Sequence, residues 1–393
     1  MTSILVKYTA IVQIEMNTKI LHIQSKNRTP ASLIANLQDF NYELGEVIDP
    51  KTILENPHIS LYCLELENQQ AIFVETPSDI DIYEAPFLYA AQYEYAQRLI
   101  AVPLEELHQL AANIKDSIGK IAIIYSVGRC GSTLLSKVFS QVDTVLSLSE
   151  PDIFSQIVAI RNPDGSNDEP LGQLLKSCIY LLCKPTVKGN PSECAIKLRS
   201  FGIEIADLIY RVLPDAKLIF MYRNAQDVVK SSIRAFVHLS AMLPIIAQNI
   251  EAYSRVVPLL KEYASYIDFT DSNATDLYTT MWLSVMHRYL LLCQQDIPIC
   301  AIRYEDLVAY PQQMIGELFN YCDLPISQVS QTCKVFTKDS QSGSNLSQEN
   351  TRKNDIKILD TLEIQQKVVN LLQKHPQIKT SDFIVPYTLG FSQ

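Results

Sequence analysis

Between Ile121 and Asp306 the chain repeats one pattern, a short apolar run followed by a longer amphipathic segment. The runs are IAIIYSV at 121–127, CAIKL at 194–198, KLIFMYR at 217–223 and ICAIRYED at 299–306, and each precedes a helical spacing of apolar positions. Runs this continuous, rather than alternating, are what strands show when helices cover both faces of a parallel sheet. The pattern predicts an α/β fold, a P-loop-like doubly wound parallel sheet flanked by helices, with ligands at the carboxyl ends of its strands.

The first 118 residues read differently. Segments 3–15, 19–24, 58–67 and 71–76 have strand character, and Glu67-Asn68-Gln69-Gln70 predicts a hairpin between the last two. A Tyr-rich stretch, YEAPFLYAAQYEYAQRLI at 83–100, reads as helical, and VPLEELHQLAANI at 102–114 as a helix with Pro103 in its first turn. A smaller N-terminal α+β module over 1–118 and an α/β domain over 119–393 are therefore expected. The polar stretch KDSQSGSNLSQENTRKND at 338–355 reads as a loop or a lid.

Composition narrows the function classes. The 393 residues carry a formal charge of −10 and 47% apolar side chains, which allows a sizeable core and argues against nucleic-acid binding. An anionic ligand must then be met by local groups. Nine scattered cysteines with no C-x-x-C pair indicate neither a disulfide framework nor zinc. No run of 18 apolar residues and no unbroken apolar leader is present, so a cytoplasmic protein without an integral membrane segment is expected.

Candidate chemistry begins where the first run breaks, at Ser126-Val127-Gly128-Arg129-Cys130-Gly131-Ser132-Thr133. A strand ending in a glycine-containing turn that opens a helix offers backbone N–H groups and a positive helix end to an anion. Arg129 can add a cation, and Ser132 and Thr133 add hydroxyls. Aligned on the Walker pattern, however, Ser126 falls at the first glycine and Ser132 at the lysine. Without that lysine, and with no evident carboxylate for magnesium, a P-loop kinase or nucleotide hydrolase is disfavoured. Sulfuryl transfer, which handles less charge, needs donors and cations but no metal. A second anion site is indicated by LPDAKLIFMYRNAQDVVKSSIRAF at 213–236, where Arg223 ends a strand and Ser231 lies about two helical turns beyond it.

With both motifs in view, the chain resembles the sulfotransferases that use 3′-phosphoadenylyl sulfate (PAPS). SVGRCGSTLL is similar to that family's 5′-phosphosulfate loop in its R-[SG]-G-[ST]-T-L form, and FMYRNAQDVVKSS to its 3′-phosphate motif. The likeness continues through CAIKLRSFG at 194–202, TTMWLSVMHRYLLL at 279–292 and IRYEDLVAYPQQMIGELFNYCDL at 302–324, covering roughly 121–325. It implies that Arg129, Cys130, Gly131, Ser132 and Thr133 bind the phosphosulfate, that Arg223 and Ser231 hold the 3′-phosphate, and that Tyr304 lies near the adenine.

In the branch with this loop a glutamate about twenty residues on resembles the catalytic base, which here is Glu150 in LSLSEPDIF. An apolar setting that raises its pKa is expected of such a base; the alternative is a carboxylate at a helix start. Arg129 joins Glu150 as a catalytic candidate. Ala225 replaces the family's proline and Cys130 its serine or glycine, neither of which removes a needed charge. The family's basic segment over the 3′-phosphate has no clean counterpart, Arg352 and Lys353 being the candidates.

The resemblance implies adenosine 3′,5′-bisphosphate as product, a hydroxylated acceptor and no metal; the acidic balance favours a small-molecule acceptor and no nucleic-acid partner, and homo-oligomerisation is left open. A non-catalytic binding module on the same fold is the alternative. His238, His287, Trp282 and the thiol of Cys130 read as packing groups.

Overall fold

The computed structural model describes residues 17–28, 34–186, 191–237, 239–344, 346–347, 349–350 and 361–390. Five strands, β1 (Lys19–Lys26), β2 (Phe40–Val47), β3 (Ile59–Glu65), β4 (Gln70–Glu75) and β5 (Arg98–Pro103), form an antiparallel sheet in the order β2-β1-β5-β4-β3. Five more, β6 (Lys120–Ser126), β7 (Val145–Ser149), β8 (Glu193–Lys197), β9 (Lys217–Tyr222) and β10 (Ile299–Arg303), form a parallel sheet in the order β10-β9-β6-β8-β7. Each apolar run from 121 onward is thus a strand of the parallel sheet, and helices connect them as the spacing predicts.

The antiparallel sheet has two apolar faces, and period-2 alternation sorts its side chains between them. Ala71, Phe73, Ile100 and Val102 join the large core that continues through the parallel sheet and its helices. Ile72, Val74, Leu99 and Ala101 face a smaller cluster with Leu21, Phe40 and Tyr62. Its β3 edge is closed by the helix Ile153–Ile160, whose Gln156 amide exchanges hydrogen bonds of 2.7 and 2.9 Å with the backbone N–H and C=O of Leu64. Covering an edge in this way removes a site for unwanted strand pairing.

The Tyr-rich stretch departs from expectation. Only Leu88–Tyr95 is α-helical, with a 3-10 turn at Ile82–Glu84 before it, and Arg98–Leu99–Ile100 open β5, the central strand of the antiparallel sheet. Leu99, Ile100 and Ala101 pair across to both β4 and β1 neighbours, so tertiary pairing overrides the local helical spacing. Pro103 closes that strand and caps the helix Leu104–Ile114 instead of lying within its first turn. The strand expected at 3–15 lies outside the described residues, whereas 19–24 and the hairpin of β3 and β4 are found.

Among the described residues no single helix is long and apolar enough to cross a membrane. In the parallel sheet the path runs from β6 to β7 on one side and from β9 to β10 on the other, so the chain reverses direction between β6 and β9. In open α/β sheets the crevice at such a reversal is where ligands bind.

Candidate functional site

The loop after β6 bends through left-handed positions at three of its four residues 128–131, Gly128 (φ 74°), Arg129 (φ 51°) and Gly131 (φ 84°). Gly131 has a second reason to lack a side chain, since a Cβ there would lie 2.7 Å from ring carbons of Tyr304. The helix Ser132–Ser140 that follows has Gly131 as its N-cap and no side-chain cap. Its first-turn N–H groups are therefore left for an incoming acceptor. The contrast with the next motif is instructive, because the helix Ala225–Ala235 is capped by its own Asn224, which accepts from Gln226 and Asp227 N–H. An anion there must be held by side chains.

Those side chains converge. Arg129 Nε donates to Ser231 Oγ at 3.1 Å and Nη1 to Gln341 Oε1 at 3.1 Å, so the two motifs and the polar loop at 338–350 meet at one guanidinium. Burial lowers the Arg129 pKa, and the nearby Arg223 charge acts in the same direction. Arg223, at the tip of β9, lies 4.7 Å from the centroid of the Tyr304 ring and 3.2 Å from Asp227 Oδ2. Among the described residues its buried Nε has no hydrogen-bond partner, an orphaned donor of the kind an anionic ligand satisfies. Trp282 holds this strand tip by donating its indole N–H to the Arg223 carbonyl at 3.0 Å.

On the other flank of β6, Glu150 follows β7 with φ 57°, again a left-handed position for a residue with a side chain. Strain of this sort is concentrated at functional positions. Its surroundings are not apolar, contrary to expectation. The ammonium of Lys197, at the end of β8, lies 2.5 Å from Glu150 Oε1, 3.3 Å from Thr133 Oγ1 and 3.5 Å from Ser149 Oγ. The Lys197 side chain is 2% exposed, and a buried charge of this kind persists only when partners surround it.

Lys197 is the site residue that sequence reasoning passed over. Its one signal is that it is the sole charge in the run CAIKL, placed at the carboxyl end of a buried strand.

Cys130 is fully buried, with its thiol toward the Met221 carbonyl at 3.3 Å and its pKa raised by burial. Its side chain belongs to the core and not to a ligand surface, and it lacks the character of a nucleophile. Ser132 and Thr133 are also buried, Ser132 Oγ accepting from Ser126 Oγ at 3.2 Å. His287 packs against His375 at 3.0 Å as a structural pair. Arg352, Lys353 and His238 lie outside the described residues.

A family model described as "Sulfotransferase domain" matches residues 120–374. No curated protein matches the chain. Solved structures that it resembles include the sulfotransferase domain from the curacin biosynthetic pathway, at 16% identity and a TM-score of 0.37, over 69% of this chain and 93% of that one. Sulfotransferase STF9 from Mycobacterium avium is another, at 11% identity and a TM-score of 0.39, over 70% and 82% of the respective chains. A third is a sulfotransferase from Alicyclobacillus acidocaldarius, at 16% identity and a TM-score of 0.32, over 65% and 94%.

Proposed function

Because the chain belongs to the sulfotransferase family, we propose that it transfers a sulfuryl group from PAPS to the hydroxyl of a small acceptor and releases adenosine 3′,5′-bisphosphate. When bound, the donor supplies the sulfuryl group on a phosphate leaving group. Arg129, Gly131, Ser132 and Thr133 hold the phosphosulfate, with the uncapped helix N-terminus adding backbone donors. Arg223 and Ser231 hold the 3′-phosphate, and Tyr304, already against Arg223, bounds the adenine side.

Glu150 takes the acceptor proton. Among the described residues Lys197 bonds its Oε1, and Oε2 is the atom that receives that proton. Lys197 also sets positive charge beside Thr133, where charge develops during transfer. This link is the observation that carries the reading, since one buried ammonium touches both the phosphosulfate loop and the base. Arg129 supplies the second cation and draws the two anion sites together through Ser231.

A small acceptor is favoured over a polyanionic glycan by the net charge of −10. Nine free thiols fit a reducing, cytoplasmic setting. We place the division between the N-terminal module and the sulfotransferase domain at 118/119.

Calorimetric titration with adenosine 3′,5′-bisphosphate in the absence of magnesium tests the donor assignment, with ADP and magnesium as comparison. Binding of the bisphosphate that weakens about tenfold or more in Arg223→Ala is the expected result, given the strength of charge-assisted phosphate contacts. A protein that binds ADP with magnesium and ignores the bisphosphate would overturn it.

A further inference from the structure

A short segment of the N-terminal module, Glu84–Tyr89, reaches the transfer site, where it meets residues at the ends of the parallel strands and neighbouring charges. Pro86 offers its carbonyl to Ser149 Oγ at 2.5 Å, at the end of β7. The next residue, Phe87, has its ring centroid 5.3 Å from Lys197 Nζ, at the end of β8. Tyr89 has its ring 4.3 Å from the Arg199 guanidinium, two residues past Lys197, and 4.9 Å from that of Arg28. Arg199 and Arg28 in turn share the buried Asp152 carboxylate, at 3.1 and 3.5 Å, two residues past Glu150. Glu84 fixes the start of the segment by accepting from Lys137 Nζ through its carbonyl at 2.5 Å.

An aliphatic side chain would fill the place of Phe87 equally well if packing were the only requirement. A ring face differs because its negative quadrupole attracts an ammonium, most strongly where water is excluded. Lys197 is 2% exposed and has four more carbons of flexible stem than a fixed point charge, so its position depends on what flanks the head group. Three hydroxyl or carboxylate oxygens lie within 3.5 Å of the ammonium, and the Phe87 ring supplies another contact.

We infer that Phe87 is a positioning residue for sulfuryl transfer, holding the Lys197 ammonium between Thr133 and Glu150, and that the N-terminal module is thereby part of the catalytic apparatus. The inference rests on the transferase reading above and adds to it a role for residues outside the segment that matches the family. Phe87 touches neither donor nor acceptor in this account. It acts through Lys197, as outer residues do when they lock a reacting group into register.

The test compares Phe87→Leu and Phe87→Tyr with wild type in two measurements. One is the Kd for adenosine 3′,5′-bisphosphate by calorimetry. The other is release of that bisphosphate from PAPS at saturating donor, with a mixture of 2-naphthol, glucose and 1-octanol as hydroxyl probes and water as the background acceptor. Phe87→Leu is expected to lower turnover about tenfold, the factor a desolvated cation–ring contact carries, with the bisphosphate Kd unchanged. Phe87→Tyr, which keeps the ring, is expected to restore turnover to within about twofold of wild type.

Unchanged turnover in Phe87→Leu, or equal loss in both variants, overturns the inference and leaves the transferase reading standing. Loss of bisphosphate binding in Phe87→Leu assigns the ring a purely structural role and likewise overturns it. A wild-type protein that releases no bisphosphate from PAPS overturns the transferase reading itself, and the inference with it.

Discussion

Gly131 shows how one residue joins backbone geometry to site assembly. Its φ of 84° is left-handed, and its missing side chain lets the Tyr304 ring approach to where a Cβ would stand 2.7 Å away. Gly131→Ala is expected to displace Tyr304 and to weaken bisphosphate binding about tenfold or more, with a stability cost of roughly 1–3 kcal/mol for the strained backbone. Calorimetry and denaturant unfolding on the same preparation check both effects; unchanged binding would contradict the close-packing account.

At this scale the sequence was readable wherever chemistry and backbone punctuation coincide. Arg129, between two glycines, and Arg223, at a strand tip before a helix, stand out on that ground. Lys197 did not, because a lysine at the end of an apolar run ordinarily extends its head to water. Only the fold brings Thr133, Ser149 and Glu150 around it.

Among the elements, the helix Thr361–Leu372 and the segment after it depend on a titratable contact. His375 Nδ1 accepts from the N–H groups of Gln377 and Ile378, so its Nε2 carries the proton toward His287 on the helix Thr275–Gln294. Burial first, then the His287 and Lys379 charges, lowers the His375 pKa to about 4. His287 is lowered by burial as well, with Glu262 opposing and Arg288 assisting.

A histidine whose folded pKa lies below its ordinary 6.5 binds fewer protons when folded. Its stabilisation is complete above about 6.5 and is lost as pH falls toward 4. His375→Asn is expected to flatten the stability profile across that window by roughly 1–3 kcal/mol, and urea midpoints measured across it provide the check. An equally steep profile in the variant would place the titration elsewhere.

Element boundaries were legible where a turn residue marks them and obscure where none does. Ala96 and Gln97 separate the helix Leu88–Tyr95 from β5 with neither glycine nor proline, so sequence spacing alone ran the helix on. The order of the parallel strands has no local signal either, since it is set by which helix crosses which face.

Across the whole molecule, a buried ionic network ties the parallel-sheet helices together. Arg161 makes paired contacts with Asp168 and Asp207, and Arg288 reaches Asp207 at 2.6 Å and Glu204 at 3.6 Å. Burial raises the Glu204 pKa from 4.5 to about 7, opposed by Arg288. An acid whose folded pKa is raised binds more protons when folded. Its contribution is fully present below about 4.5 and is lost as pH rises through about 7.

Glu204→Gln is expected to abolish that decline, a change of about 1–3 kcal/mol between the ends of the window, read as the difference between wild-type and variant unfolding midpoints. A decline of the same size in Glu204→Gln would contradict the assignment. None of this network is visible in the sequence, where its members are spread from 161 to 288 without a shared motif. The parallel sheet was visible because its buried strands are long apolar runs, whereas charges that meet only after folding leave no periodic trace.

Sulfuryl transfer with Glu150 as the base can be followed as single-turnover transfer of radiolabelled sulfur from PAPS to a panel of hydroxyl acceptors. Wild-type protein should consume the donor and label an acceptor without added magnesium. Glu150→Gln should bind adenosine 3′,5′-bisphosphate as wild type does while transferring about 10²- to 10⁴-fold more slowly, the range for loss of a general base. Wild-type rates in Glu150→Gln would remove the base assignment, and a wild-type protein that labels no acceptor in the panel and leaves the donor intact would contradict the account as a whole.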